Sequence, residues 1–180
     1  MLAATIALLL LAPLMACIAA AILVDDRGSI LFTQWRIGQH GRPFRIFKFR
    51  TMSPCGGAQV VAKPLRQLDD HPAVTRVGRC LRRSHLDELP QLVNVLLGQM
   101  SIVGPRPLVP DEDALITRSW KERHDHRPGL TGSWQLWRSR QTTVDELICL
   151  DQGYLAHWTP WRDVRLVAST ARCVVRRSGR

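Results

Sequence analysis

An uninterrupted apolar run from Leu2 to Val24 stands at the start of this 180-residue chain. Its 23 residues carry no charge and as a straight helix would extend about 34 Å, the thickness of a bilayer's hydrocarbon core. No basic residue precedes the run and no small-residue cleavage signature follows it, so a retained anchor is favoured over a removable signal peptide. We therefore predict a membrane anchor over residues 1–24 and one further domain over residues 25–180.

Pro13 stands at the centre of this run, where it removes a backbone hydrogen bond and clashes with the preceding helical turn. It leaves two arms of about 16 Å, each half a bilayer in length. One geometry is a kinked helix that spans the membrane; the other is a re-entrant helix-break-helix that enters and leaves by the same face. Length and periodicity do not separate them, and membrane helices in general favour the spanning form. Arginines follow closely at Arg27, Arg36, Arg42 and Arg45, which places the remaining chain in the cytoplasm by the positive-inside rule.

The charge of the chain comes almost entirely from arginine. The formal net charge is +10, and only 3 of the 25 basic residues are lysines. Because the guanidinium group is a planar fork of donors suited to phosphate, phosphorylated ligands and anionic lipid headgroups are the favoured partners. A hydrophobic content of 46% excludes a disordered basic tail. The chain has 5 cysteines, an odd number, and none of them forms a CxxC motif. This pattern argues against a zinc module and against a disulfide scaffold.

The region after the apolar run predicts an α+β, mainly helical fold. Two β-prone segments within residues 29–49 flank turn formers at Gly38 to Pro43, which is a hairpin pattern. Residues 53–72 are rich in proline and glycine and are predicted as a loop. A helix is predicted to start near Asp87 with Pro90 in its first turn, and a basic amphipathic helix follows Trp161 near the end of the chain. That last helix either packs on the core or lies on an anionic membrane surface.

Two adjacent carboxylates, Asp87 and Glu88, are the strongest candidates for chemistry. Alone they would merely complement a helix dipole, but the chain also carries many arginines and a rigid segment, Gly104-Pro105-Arg106-Pro107, whose prolines restrict the backbone around Arg106. Mg²⁺ binds one or two carboxylates together with substrate phosphate oxygens, and arginines neutralise the remaining phosphate charge. A carboxylate is also a nucleophile at phosphorus. These residues therefore indicate a phosphate site bridged by a metal.

Other kinds of site have weaker support. His124 and His126 flank Asp125 without a third metal ligand at a suitable spacing, which is typical of a solvated turn. The chain contains no GxxxxGK[ST], HExxH or GxSxG motif. Several tryptophans would suit stacking on nucleic-acid bases and would equally suit a membrane interface, and the apolar run favours the interface. We therefore expect no nucleic-acid partner.

The order of several long motifs resembles the bacterial sugar transferase family, the monotopic phosphoglycosyl transferases, over nearly the whole chain. The matching segments are Phe47-Lys48-Phe49-Arg50-Thr51-Met52, Thr75-Arg76-Val77-Gly78-Arg79, Leu86-Asp87-Glu88-Leu89-Pro90-Gln91-Leu92, Met100-Ser101-Ile102-Val103-Gly104-Pro105-Arg106-Pro107 and Arg127-Pro128-Gly129-Leu130-Thr131-Gly132. The resemblance implies a re-entrant membrane helix broken at Pro13, which reverses the general preference for a spanning helix. It also implies a compact helical catalytic domain on the cytoplasmic face of the bacterial inner membrane, held by interfacial amphipathic helices and anionic inner-leaflet lipids.

The resemblance further implies a mechanism. Asp87 would attack the β-phosphate of a UDP-sugar, release UMP and hold the phosphosugar covalently until a polyprenyl (undecaprenyl) phosphate displaces it, which begins a lipid-linked glycan. Glu88 matches the Mg²⁺-binding partner and Arg106 matches an arginine near the nucleotide-sugar phosphates. Lys48, Arg50 and Arg127 are further candidate phosphate contacts. Asp151, which lies near Tyr154 in the sequence, is a candidate pocket residue.

The chain departs from the family pattern at two places that bear on the structure. Ala12 stands before the proline where the family commonly has serine, and Gln99 stands where aspartate is frequent. Two alternatives to phosphosugar transfer remain: a membrane-tethered protein that binds anionic lipid or nucleic acid without catalysis, and an enzyme that transfers the sugar alone and releases UDP. The sequence identifies neither the sugar nor the downstream glycan, and it leaves a homo-oligomer open.

Overall fold

The computed structural model describes residues 2–53, 71–116, 118–137 and 143–175. Helices dominate it: α1 (Leu2–Asp25), α2 (Arg76–Arg83), α3 (Gln91–Leu96), α4 (Pro110–Ala114), α5 (Ser133–Trp137), α6 (Val144–Ala156) and α7 (Pro160–Val175). Two two-stranded sheets join β1 (Leu31–Ile37) with β2 (Pro43–Phe49), and β3 (Ser101–Val103) with β4 (Gly129–Thr131). The predicted mainly helical α+β class is confirmed. The loop predicted for residues 53–72 lies outside the described residues except at its ends.

Helix α1 is long and apolar enough to cross a membrane. The helix continues through Pro13, so the structure shows no interruption at the predicted break. A proline has no N–H but its fixed φ is compatible with a helix, so its presence costs a hydrogen bond without ending the element. The structure therefore shows α1 as one continuous helix and does not show the predicted break at Pro13.

One face of α1 packs against the rest of the fold, residues 26–175, which we call the body. The cluster near its start comprises Ala4, Phe44, Ile46, Val95 and Met100. The cluster near its end comprises Ile18, Ile22, Phe49 and Leu81. The opposite face is apolar and exposed, with Leu9 71% and Leu10 74% accessible. Both ends of α1 thus touch the same body, whereas only one end of a spanning helix lies on the body's side of a bilayer.

The predicted hairpin is confirmed by strands β1 and β2, which pair antiparallel with Leu31 opposite Phe49 and Ile37 opposite Pro43. Strand β2 is fixed to α3 by the fully buried Asn94. The Asn94 side chain accepts from the Phe47 N–H (3.1 Å) and donates to the Arg45 carbonyl (2.7 Å). It also donates to Gln99 Oε1 (2.8 Å), so Gln99 supplies an acceptor to the Asn94 side chain.

The predicted helix start near Asp87 is wrong. Leu86–Glu88 form a short 3₁₀ turn, and α3 begins only at Gln91, with Pro90 as its N-cap. His85 precedes the turn in the left-handed conformation (φ 54°), which ends the preceding helical path. The two carboxylates therefore lie in a turn ahead of α3, not in the first turn of a helix.

The parallel pair of β3 and β4 brings together two motifs distant in sequence. Ser101 lies opposite Gly129, and Val103 lies opposite Thr131. The backbones approach so closely that a Cβ on Gly104 would lie 2.5 Å from the Arg127 carbonyl oxygen. Glycine at this position therefore lets the Gly104–Pro107 loop rest against the segment that begins at Arg127.

The helix predicted near the end of the chain is confirmed as α7. Its buried side contributes Leu166 to a cluster with Val103 and Tyr154. Trp161 and Val164 remain exposed on the other side. Arg176, which the sequence pattern also included in the basic face, lies outside the described residues.

The packing of α1 predicts that both of its ends lie on the same side of the membrane. In a cysteine-free background, single cysteines at Ala3 and at Ser29, both exposed, should react with a membrane-impermeant maleimide from the same side. Labelling is compared between spheroplasts and inverted vesicles. A cysteine at Leu10, on the exposed apolar face, is the lipid-protected control. Labelling of Ala3 and Ser29 positions from opposite sides would contradict this packing.

Candidate active site

Asp87 and Glu88 lie together in the 3₁₀ turn, partly exposed, and are engaged very differently. Glu88 Oε1 forms an ion pair with Lys48 Nζ at 2.6 Å, and Glu88 Oε2 accepts from Gln135 Nε2 at 3.1 Å. Gln135 Nε2 also lies 3.3 Å from the Nδ1 ring nitrogen of His85. In contrast, no other described side chain forms a hydrogen bond or ion pair with the Asp87 carboxylate. The turn thus holds the Glu88 carboxylate in place and leaves the oxygens of the Asp87 carboxylate without a side-chain partner among the described residues.

The surroundings move the pKa values of the two carboxyl groups apart. Desolvation, with a smaller contribution from the Glu88 charge, raises the pKa of Asp87 to about 6 against the opposing charges of Lys48 and Arg82. Burial also acts to raise the pKa of Glu88, but the charge and hydrogen bond of Lys48 outweigh it, so the net pKa of Glu88 is low. Glu88 is therefore a permanent anion, while Asp87 is ionised at neutral pH and titrates just below it.

The donor set of this turn fits Mg²⁺. Mg²⁺ takes oxygen ligands and is usually held by one or two carboxylates together with substrate phosphates. Asp87 and Glu88 supply the carboxylates, and the buried Gln135 Oε1 beside them has no hydrogen-bond partner. Within the described ranges, no group of three or more His, Cys, Asp and Glu could hold a metal. Two carboxylates leave coordination positions for phosphate oxygens, so the turn suits an ion shared with a phosphorylated substrate.

The Gly104–Pro107 loop presents Arg106, which is buried and whose guanidinium lies 5.3 Å from the ring centroid of Trp134. The loop backbone is held from behind by a buried ion pair between Arg123 and Asp151 (3.0 Å). Asp151 accepts from the Arg106 N–H (3.0 Å), and Arg123 donates to the Arg106 carbonyl. Asp151 is only 1% exposed, so the structure places it behind the loop as a support rather than on an open pocket surface.

The structure does not join the other two predicted phosphate contacts to the carboxylates. Arg50 is buried and forms an ion pair with Asp26 (3.0 Å), which fastens the end of β2 to the end of α1. Arg127 is exposed near the hairpin turn, where its Nε donates to Gln39 Oε1 at 3.3 Å. Of the three candidates Lys48, Arg50 and Arg127, only Lys48 contacts the carboxylate pair directly within the described part of the chain.

Sequence reasoning missed Gln135 and His85, which contact or face Glu88. Gln135 follows the Arg127–Gly132 motif by only three residues, so extending that motif toward α5 would have found it. Arg82 Nε donates to Thr51 Oγ1 (2.9 Å), and the Arg82 charge acts on Asp87. The ring of Trp134, one of the several tryptophans of the sequence, packs against the guanidinium of Arg106.

Comparison with known proteins gives consistent results. The sequence model of the family described as bacterial sugar transferase matches residues 1–177. The chain is 38% identical over 175 residues to the UDP-glucose:undecaprenyl-phosphate glucose-1-phosphate transferase of Escherichia coli, covering 93% of this chain and 37% of that protein. It is 42% identical over 179 residues to the undecaprenyl-phosphate glucose phosphotransferase of Komagataeibacter xylinus, covering 93% of this chain and 33% of that protein.

A shorter relative matches along most of its own length. The exopolysaccharide production protein ExoY of Rhizobium meliloti is 38% identical over 181 residues, which covers 94% of this chain and 80% of that protein. The chain thus spans about a third of the two longer relatives, at 37% and 33%, and four fifths of the shorter one.

The contacts of Lys48 predict how the carboxyl groups titrate without it. In a Lys48→Met variant, both Glu88 and Asp87 should titrate at higher pH, because the Lys48 charge lowers the pKa of each. For Glu88 the effect includes the loss of a charged hydrogen bond, worth about 1.5 to 3 kcal/mol. ¹³C NMR of carboxyl-labelled protein in nanodiscs, without divalent metal, measures both values. Lys121→Met, at an exposed site, is the matched control, and unchanged titration in Lys48→Met would contradict the assignment.

Proposed function

The chain belongs to the bacterial sugar transferase family, and from this premise we propose that it transfers a sugar 1-phosphate from a UDP-sugar to polyprenyl phosphate. The acceptor class follows from relatives whose names specify undecaprenyl phosphate. The product is a polyprenyl diphosphate sugar, the first lipid-linked intermediate of a glycan. The single observation that best supports this chemistry is the unequal carboxylate pair at Asp87 and Glu88.

Asp87 is the proposed nucleophile. Its carboxylate is ionised at neutral pH, and no other described side chain occupies its oxygens through a hydrogen bond or ion pair. A carboxylate oxygen of Asp87 attacks the β-phosphorus, the bond from that phosphorus to the bridging oxygen breaks, and UMP leaves with the bridging oxygen. The sugar phosphate is then held as an acyl phosphate on Asp87. A polyprenyl phosphate oxygen attacks the same phosphorus and restores the Asp87 carboxylate.

The neighbouring groups stabilise charge on the phosphates. Lys48 keeps Glu88 ionised, and Glu88 with Asp87 would hold Mg²⁺. When bound, this ion supplies Lewis-acid stabilisation of the negative charge on the phosphoryl oxygens. Arg106 is held by its stacking on Trp134 and by the backbone contacts of Asp151 and Arg123, so it loses little side-chain freedom when it binds a phosphate.

The location follows from the acceptor and from α1. A polyprenyl phosphate resides in the membrane, whereas a UDP-sugar is dissolved in the cytoplasm, so the reaction belongs at the inner face of the bacterial cytoplasmic membrane. The exposed apolar face of α1 would contact the lipid, and because both ends of α1 pack on the body, a re-entrant insertion suits it better than a spanning one. Anionic inner-leaflet lipids would attract the arginine-rich face of α7.

The donor sugar is proposed as a hexose. Relatives are named for glucose or galactose 1-phosphate transfer, and the described site contains no group that reads one sugar hydroxyl. A panel of UDP-sugars is therefore the proper test of the donor.

The direct test is nucleotide release by the nanodisc-embedded full chain, given that panel, undecaprenyl phosphate and either Mg²⁺ or a chelator. The unchanged protein should release UMP with at least one sugar and only with metal. Asp87→Asn should lower the rate by about three orders of magnitude or more, because it removes the nucleophile.

Asp111→Asn makes the same chemical change at an exposed position of α4 and should retain full activity. Release of UDP in place of UMP would indicate simple glycosyl transfer and contradict the proposal. Full activity in Asp87→Asn would remove Asp87 from the role of nucleophile.

A further inference from the structure

Arg36 of strand β1 is a buried cation that the proposed chemistry leaves unused. It is 5% exposed, although most of its strand is open to solvent. Its Nη1 donates to the Pro107 carbonyl at 3.1 Å, a contact between residues 71 positions apart in the chain. Its Nη2 donates to Gln34 Oε1 at 2.6 Å. Arg36 therefore holds the end of the Gly104–Pro107 loop from the hairpin side, opposite the support given by Asp151.

The charge of Arg36 is not neutralised by an ion pair in the way that the charges of the buried Arg50 and Arg123 are. Arg50 pairs with Asp26, and Arg123 pairs with Asp151. For Arg36, the described part of the chain shows no carboxylate at ion-pair distance, and its buried Nε has no hydrogen-bond partner. An unpaired buried charge is costly, and the cost falls when an anion approaches.

Arg36 lies within electrostatic reach of Arg106. Burial and the like charge of Arg106 lower the pKa of Arg36 to about 10, while the charges of Glu112 and Glu88 act in the opposite direction. The Arg36 guanidinium is thus still charged at neutral pH. The two guanidinium groups together create a positive field at the loop, and the charge of Glu88 acts on Arg36 there.

We propose that Arg36 is a positioning residue for diphosphate binding, which fixes the Gly104–Pro107 loop through Pro107 and adds its unpaired charge to that of Arg106. The inference rests on the proposed function, because the diphosphate is that of the UDP-sugar. Arg36 acts from beneath the loop, and Arg106 makes the contact. Its guanidinium is suited to this because one planar group reaches both Pro107 and Gln34.

The test measures UDP binding by calorimetry to the nanodisc-embedded full chain with Mg²⁺. UDP carries the diphosphate but no sugar to transfer, so binding is read without turnover. Arg36→Gln should weaken UDP binding about tenfold or more, the loss of one strong charge-assisted contribution. Arg36→Lys, which keeps the charge, should lose less. Inorganic pyrophosphate should show the same order of affinities.

A second variant tests the charge without removing the arginine. Gln34→Glu places a carboxylate at the 2.6 Å contact, where it neutralises Arg36 and preserves the acceptor. UDP binding should weaken in this variant while the thermal midpoint is unchanged or raised. Thr33→Glu, the exposed neighbour on β1, adds the same charge and should bind UDP normally. Arg45→Gln, on the exposed side of the hairpin, is the control for loss of a cation and should also bind UDP normally.

Normal UDP affinity in both Arg36→Gln and Gln34→Glu would overturn the inference, whatever the change in stability. Failure of the unchanged protein to bind UDP or pyrophosphate would overturn it too. Different results would contradict the role of Arg36 and the proposed function. UMP release together with UDP binding that is insensitive to Arg36 defeats only the inference, whereas UDP binding that depends on Arg36 without UMP release defeats phosphosugar transfer.

Discussion

The ion pair between Lys48 and Glu88 is the interaction on which the site depends. Two adjacent carboxylates in a poorly hydrated turn repel each other, and ionising both requires a cation close by. Lys48 supplies it from strand β2, with its Nζ 2.6 Å from Glu88 Oε1. Its position depends in turn on strand β2, which Asn94 fixes by hydrogen bonds to the backbone of Phe47 and Arg45. A shift of one residue in β2 would turn Lys48 to the other face of the strand and leave Glu88 unpaired.

In the Gly104–Pro107 loop, too, one residue is proposed to contact the substrate while other residues hold it in place. The Arg106 guanidinium stacks on Trp134, and further residues hold the Arg106 backbone or its neighbour Pro107. Asp151 and Arg123 engage the Arg106 backbone from the helical side, and Arg36 engages Pro107 from the hairpin side. Because these supports are buried, replacing one of them leaves a polar or charged partner unsatisfied in the interior. A loop clamped from two sides keeps Arg106 ready for a phosphate at little entropic cost.

The parts of the fold that local chemistry determines could be predicted from the sequence, and the parts that depend on distant packing could not. The turn formers between two β-prone segments gave the hairpin correctly. Helix α3 begins later than predicted, because Leu86–Glu88 form a 3₁₀ turn and Pro90 is the N-cap, and a helical stripe of apolar residues shows neither. The resemblance suggests Arg50 and Asp151 as site residues, yet each has an ion-pair partner, Asp26 or Arg123, which only the tertiary structure brings near. The contact of Gln135 with Glu88 spans 47 positions, and the only pointer to it in the sequence is that Gln135 closely follows the Arg127–Gly132 motif.

The account requires a covalent bond between Asp87 and the phosphosugar, and intact-protein mass spectrometry tests this most directly. The nanodisc-embedded chain is given a UDP-sugar that supports UMP release, without polyprenyl phosphate, and is quenched in acid. The predicted result is a mass increase of one sugar phosphate, located by peptide mapping to Asp87, absent from Asp87→Asn and lost on adding polyprenyl phosphate. An adduct on another residue, or acceptor-dependent UMP release with no adduct at any time, would contradict the covalent role of Asp87.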